Sequence, residues 1–269
     1  MRTAIYTVVK DEVDYIEDFI LYHINLAIDK IFIFEDVDSV SHKEVCDKYP
    51  NVILQPILSL FDGEEKDRII EKKKEGKFVQ SDYAHRGLMW VKNNHPDIDW
   101  CFSLDIDEYI TPTEPFPALL ERYNDYDAIL LYWKNYGASG HIKKPIYDKP
   151  IYEIYTQPCE YKESDKKRAV ISKMCFNMHK LQDKFIYGVH TALCNWVRTD
   201  FGVHRTDEPC FDVMYLRHYI TKSWFEWCWK LNTRGMFCKN NRKVEHFFDF
   251  NPDMLPLKDE LMKNISDGI

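Results

Sequence analysis

The chain has 269 residues, enough for one large domain with a full core. Aromatic residues make up 15% (17 Tyr, 16 Phe, 7 Trp) against only 9 Gly, which excludes a disordered or low-complexity polymer. A formal net charge of −8 argues against a general nucleic-acid binder, because phosphate contacts need a basic surface.

From the N-terminus, Thr3 to Lys10 (TAIYTVVK) predicts a buried strand, with no signal-peptide hydrophobic region ahead of it. Val13 to Ala27 places Ile16, Phe19, Ile20 and Ile24 on the helical period. Lys30 to Asp36 (KIFIFED) predicts a second strand, SHKEVCDKY a short helix with Ser41 as N-cap candidate, and Asn51 to Ile57 a third strand. A polar stretch and a helix around Asp82 to Lys92 lead to a fourth strand, Trp100 to Ile110 (WCFSLDIDEYI). This alternation predicts a mostly parallel α/β sheet covered on both faces.

In the second half, DAILLYWKNYG, PIYEIYTQ and AVISKMCFNMHK predict strands of a mixed or antiparallel region. Thr221 to Gly235 predicts a helix ended by Gly235. The lysine-rich EKKKEGK (Glu71 to Lys77) and DKKR (Asp165 to Arg168) read as solvated faces, with peripheral contact to an anionic membrane as a subsidiary role. Eight cysteines without a Cys-x-x-Cys pair argue against a zinc knuckle and for a reducing, cytoplasmic setting. No run reaches the apolar length of a membrane span. Without repeats or linkers, residues 1–269 are expected to form one continuous domain.

The chemistry concentrates in SLDIDEYITP. On a strand, Asp105 and Asp107 share a face, where two carboxylates repel unless a cation sits between them or a proton is shared. A divalent metal is the functional reading and a solvated strand end the plain one. Of four Asp-x-Asp pairs, only this one directly follows a strong apolar run and continues into another hydrophobic pair, Tyr109-Ile110. Ligands of parallel sheets bind beyond the carboxyl ends of the strands. The clusters Lys10-Asp11-Glu12, Glu35-Asp36 and Asp105 to Glu108 should therefore converge on one rim.

VVKDE, SLDIDEYITP, YWKNYGASGH, YGVHTA and LRHYITKSWFEW fall in this order between about Tyr6 and Gly235. Together they resemble glycosyltransferases of the GT-A fold, of the family-2-like and family-92-like kind. The resemblance implies a GT-A, Rossmann-like mixed sheet with helices on both faces and a C-terminal helical extension. It divides the domain into a nucleotide-sugar half (1–110), an acceptor-side half (111–235) and an extension (236–269). It implies inverting sugar transfer from a nucleotide-sugar donor, UDP-sugar foremost, to a hydroxyl on a glycan, lipid-linked or protein-linked acceptor. A divalent metal, Mn²⁺ or Mg²⁺, would neutralise the departing diphosphate.

In the same terms Asp107 binds the metal directly, and Asp105 approaches the ribose or reaches the metal through water. Asp36 lies near base or ribose, with Lys10 and Glu12 around the same pocket. His190 and His218 are candidates for a further metal ligand, and His141 for contact with sugar or acceptor. Glu226 is the candidate general base, with Asp207 and Glu208 as fallback; TKSWFEW carries Phe225 where a second acid often stands. NYGASG offers small residues where backbone can approach a ligand, but lacks the dinucleotide fingerprint. Trp224 is a candidate stacking face, although tryptophan on a helix more often joins a core. Two other readings stay open: a metal-dependent nucleotidyltransferase or phosphohydrolase using Asp105 and Asp107, and a non-catalytic carbohydrate-binding protein.

Overall fold

The computed structural model describes residues 1–77, 79–116, 118–146, 148–159, 172–182, 211–233 and 243–266. The chain sorts into two compact units. Met1–Trp133 with Lys162–Arg217 forms the first, and Lys134–Tyr161 with His218–Ile269 the second.

Eight strands form one sheet: β1 (Thr3–Val9), β2 (Lys30–Glu35), β3 (Val52–Pro56), β4 (Trp100–Ser103), β5 (Glu108–Pro112), β6 (Ala128–Asn135), β7 (Ser172–Asn177) and β8 (Met214–His218). Their order is β3-β2-β1-β4-β7-β6-β8-β5. The pairs β1–β2, β2–β3 and β1–β4 are parallel, whereas β7 runs antiparallel to both β4 and β6. The expected mixed α/β sheet is therefore present.

The four parallel strands alternate with α1 (Ile16–Asn25), α2 (Lys43–Cys46), α3 (Gly63–Lys74) and α4 (Gln80–Asn94). The order steps outward from β1 to β3, then returns past β1 to β4. Right-handed crossovers on such a path put the later helices on the face opposite α1. Side-chain alternation follows suit. Ala4 and Tyr6 of β1, Phe32 and Phe34 of β2 and Cys101 of β4 share one core with Tyr83, Leu88 and Val91 of α4. Gly87 lets α4 sit close, because a Cβ there would lie 3.1 Å from the Phe34 ring and 3.3 Å from Tyr6.

Two sequence expectations are corrected. The stretch Trp100 to Ile110 is not one strand, so Asp105 and Asp107 are not strand neighbours. β4 stops at Ser103 and β5 starts at Glu108, with a turn closed by the Glu108 N–H donating to the Asp105 carbonyl at 3.1 Å. After the turn, β5 is captured by α1. The Tyr22 hydroxyl donates to the Ile110 carbonyl at 2.8 Å, and the Ile110 N–H donates to His23 Nε2 at 3.3 Å. The second correction is PIYEIYTQ, which forms a helical turn, α6 (Ile151–Ile154), following a short α5 (Ala118–Glu121). Ile151 and Tyr155 are both fully buried and four apart, a spacing that suits a helix. The Pro150 carbonyl accepts from the Glu153 N–H at 2.9 Å to start it.

The second unit has its own core, in which α7 (Trp224–Thr233) contributes Trp224 and Trp227 against Phe247, Phe248, Met254 and Leu261. The C-terminal residues expected as a helical extension are helical at Phe247–Phe250 and Lys258–Ser266. Among the described residues, no helix is long and apolar enough to cross a membrane.

Candidate active site

Strand order reverses between β1 and β4, and at such a switch point the carboxyl ends of two adjacent strands leave a crevice. The Leu104 N–H donates to the Tyr6 carbonyl at 3.2 Å, so the chain that leaves β4 starts beside β1. Lys10 and Glu12 follow β1 directly, Asp36 follows β2, and Asp105 and Asp107 follow β4. The parallel order β2-β1-β4 puts the carboxyl ends of these three strands, and so the segments that carry these five residues, on one edge of the sheet. They all belong to the first unit.

Asp105, Asp107 and Glu108 crowd three acids into four residues, and their surroundings differ. The Asp105 side chain is 38% exposed, Asp107 is buried and Glu108 is fully buried. Glu108 Oε2 accepts from the Asp105 N–H at 2.8 Å, which ties the turn across its mouth. Lys173 of β7, fully buried, places its ammonium 2.8 Å from Asp105 Oδ2 and 3.7 Å from Glu108 Oε2. Continuing the register Cys101↔Phe176 and Phe102↔Cys175 by two positions sets Lys173 opposite Leu104, at the base of the turn. Burial pushes the Glu108 carboxyl well above the ordinary carboxylate range, against the lowering pull of Lys173. For Lys173 burial alone would lower the ammonium, yet Asp105, Glu108 and Asp107 together hold it above its ordinary value. Sequence reading missed Lys173; its signal was a lone lysine inside the apolar run VISKMCFNM.

The rim around Asp36 is equally tied. Asp36 Oδ1 accepts from the Val37 N–H at 2.7 Å, the Lys73 ammonium at 2.7 Å and the Tyr83 hydroxyl at 3.1 Å. Lys72 meets Asp82 at 2.9 Å. Thus two lysines of the cluster read as a solvated face are turned toward carboxylates, and α3 offers less positive charge outward. The loops after β1 and β2 are joined by His42, which is 1% exposed. Its Nδ1–H donates to Glu35 Oε2 at 3.0 Å while Nε2 accepts from the Glu12 N–H at 3.1 Å, which fixes one neutral tautomer. Asp11, at φ 55°, adopts the left-handed turn that aspartate tolerates, and its Oδ1 accepts from the Val40 N–H at 2.9 Å. A cavity of about 480 Å³ lies beside β3, lined by Glu35, Lys43, Asp47 and Tyr49 among others, away from the carboxylate turn.

The remaining candidates belong to the second unit or lie outside the described residues. His190, Asp207 and Glu208 lie outside them. His218 is buried, and its Nδ1–H donates to Asn135 Oδ1 at 2.8 Å. Glu226 is buried too. Its Oε2 accepts from the Tyr155 hydroxyl at 2.7 Å, the Ser223 hydroxyl at 2.6 Å and the Ser223 N–H at 3.2 Å, while Ser223 Oγ accepts from the Glu226 N–H at 3.3 Å. This reciprocal pair is a capping box at the start of α7. His141 packs edge-on against Tyr155, with ring centroids 5.6 Å apart. Trp224 is core, whereas Phe225 and Trp229 are exposed. Gly137 of NYGASG admits close approach by the chain's own Asn251 and Phe250.

Among the described residues, no group of three His, Cys, Asp or Glu side chains forms a metal cage. The hard carboxylate oxygens of Asp105 and Asp107 nonetheless suit Mg²⁺ or Mn²⁺, which commonly take one or two carboxylates and complete their shell from phosphate and water.

Fold and rim together define a class: a mixed α/β sheet protein with an acidic rim at its topological switch point. No family model matches the chain, and no curated protein matches it. Among solved structures it is similar to 4-diphosphocytidyl-2C-methyl-D-erythritol synthase from Anaerococcus prevotii, at 13% identity and TM-score 0.30, over 66% of this chain and 72% of that one. It is also similar to the galactosyltransferase LgtC, solved in complex with donor and acceptor sugar analogs, at 11% identity and TM-score 0.36, over 93% of this chain and 95% of that one. Likenesses of this size carry no argument about function.

Proposed function

We propose that the chain is a metal-dependent, inverting glycosyltransferase that moves a sugar from a nucleotide-sugar donor, UDP-sugar foremost, to a hydroxyl of a glycan, lipid-linked or protein-linked acceptor. The observation that carries this reading is the carboxylate turn Asp105 to Glu108, placed by β4 beside the end of β1 at the switch point. Asp105 and Asp107 would hold a divalent cation, which supplies Lewis-acid charge to the leaving diphosphate. Asp36, held by Lys73 and Tyr83, and the β1 end with Lys10 and Glu12 would bound the nucleoside. For the general base the proposal names Glu226, with Asp207 as the alternative.

Thermal shift with UDP-, GDP-, CMP- and dTDP-sugars, each with and without Mn²⁺, tests the reading, since a ligand of the folded state raises its apparent stability. One nucleotide-sugar should stabilise the chain only when Mn²⁺ is present, and Asp107→Ala should abolish that shift. Pyrophosphate release or donor hydrolysis without a sugar acceptor would instead favour a nucleotidyltransferase or phosphohydrolase. Binding indifferent to metal would favour a non-catalytic protein.

A further inference from the structure

We propose that Lys173 is a positioning residue for the carboxylate turn: its buried ammonium pins Asp105 and Glu108 so that the turn is shaped before any donor or cation arrives. The Lys173 side chain is 1% exposed, so it serves the turn from beneath. Four ties surround the same four residues. The ammonium sits 2.8 Å from Asp105 Oδ2 and 3.7 Å from Glu108 Oε2, the Asp105 N–H donates to that Glu108 oxygen at 2.8 Å, and the Glu108 N–H donates to the Asp105 carbonyl at 3.1 Å.

Rigid supports surround the lysine. β7 is paired on one side with β4 and on the other with β6, where Lys173 stands opposite Leu131. Asp105 and Asp107 repel each other beside the buried Glu108, and a turn balanced only by an external cation would lose its shape whenever that cation left. An internal cation removes this dependence and leaves Asp105, the most exposed of the three acids, directed by a fixed partner. The inference rests on the transferase reading only in taking the ligand of the turn to be a nucleotide.

Hydrogen exchange on the full chain without ligand tests it, because exchange reports local opening. The Asp105 and Glu108 amides should be protected in the natural protein. In Lys173→Met they should exchange at least tenfold faster, while Ile5 and Ile33 keep their rates. Should Lys173→Met fail to fold, Lys173→Gln serves with the same expectation. In a transfer assay, Lys173→Met should raise the donor KM at least tenfold with kcat within about threefold, and adding it to Asp105→Asn should cost little more than Asp105→Asn alone. Unchanged protection at the turn, or effects that multiply independently, overturn the proposal. A natural protein without transfer activity would sink the transferase reading alone, because exchange at the turn still decides the role of Lys173.

Discussion

His23 of α1 is fully buried against β5, donating from Nδ1 to the Phe19 carbonyl at 2.8 Å and accepting the Ile110 N–H at Nε2. Burial pushes its imidazole from 6.5 down to about 3, against the raising effect of the Phe19 bond. Between those values the unfolded chain binds a proton that the folded chain refuses. The contribution is therefore intact above pH 6.5 and is lost as pH falls toward 3, by about 1.4 kcal/mol per pH unit. Urea unfolding at pH 7.5 and 5.5 should show this loss, and His23→Gln should remove that part of the slope. Gly137→Ala is predicted to destabilise the second unit by about 1–3 kcal/mol in chemical denaturation. Its Cβ would lie 2.5 Å from Asn251 Oδ1 and 2.8 Å from the Phe250 carbonyl, and the adjacent Ala138 N–H already donates to Asn251. The rim aspartates could be named from sequence because strand ends announce themselves. Lys173, Lys73 and His42 could not, since their roles depend on partners 65 or more, 37 and 30 residues away.

At the scale of elements, periodicity located β1, β2, β3, α1 and α4 to within a few residues, since each is bounded by polar turns. It failed where local pattern and tertiary pairing disagree. Trp100 to Ile110 reads as one apolar strand, yet the chain must leave the sheet at Leu104 for β5 to reach α1. Ile151 to Tyr155 satisfies both the strand and the helix period, and burial of positions four apart decided for the helix. The S-x-x-E spacing of Ser223 and Glu226 is a capping-box signature legible in the sequence, and it gives Glu226 a structural duty beside any part as a base. Ser223→Ala should lower stability by about 0.5–2 kcal/mol, measured by thermal melting with helix content from circular dichroism. Glu226→Gln, compared with Ser223→Ala at equal stability, separates the two duties. A base is indicated if only Glu226→Gln removes turnover while donor binding persists, and a cap alone if the two variants behave alike.

At the scale of the whole molecule, the parallel strands of the first unit are expected to carry the most protected backbone among the described residues. Ile5, Ile31, Ile33, Cys101 and Phe102 are fully buried in adjoining strands. Their amides are predicted to exchange slowest in native-state hydrogen exchange, and those at the exposed positions of α3, Glu64, Lys66, Asp67 and Arg68, among the fastest. Faster exchange in β1 than in α3 would contradict the layered core described above.

The sequence by itself determined the class of sheet, the position of most elements in the first hundred residues and the acid clusters that end three strands. Those properties are local, because side-chain period and turn chemistry act over a few residues. Tertiary structure alone decided that β7 lies beside β4, that the carboxylates sit on a turn with a buried lysine beneath them, and that residues 134–161 join the C-terminal part in a separate unit. The reason is physical. Strand order, register and the pairing of buried charges are settled by contacts between segments far apart in the chain, and no window of neighbouring residues contains both partners.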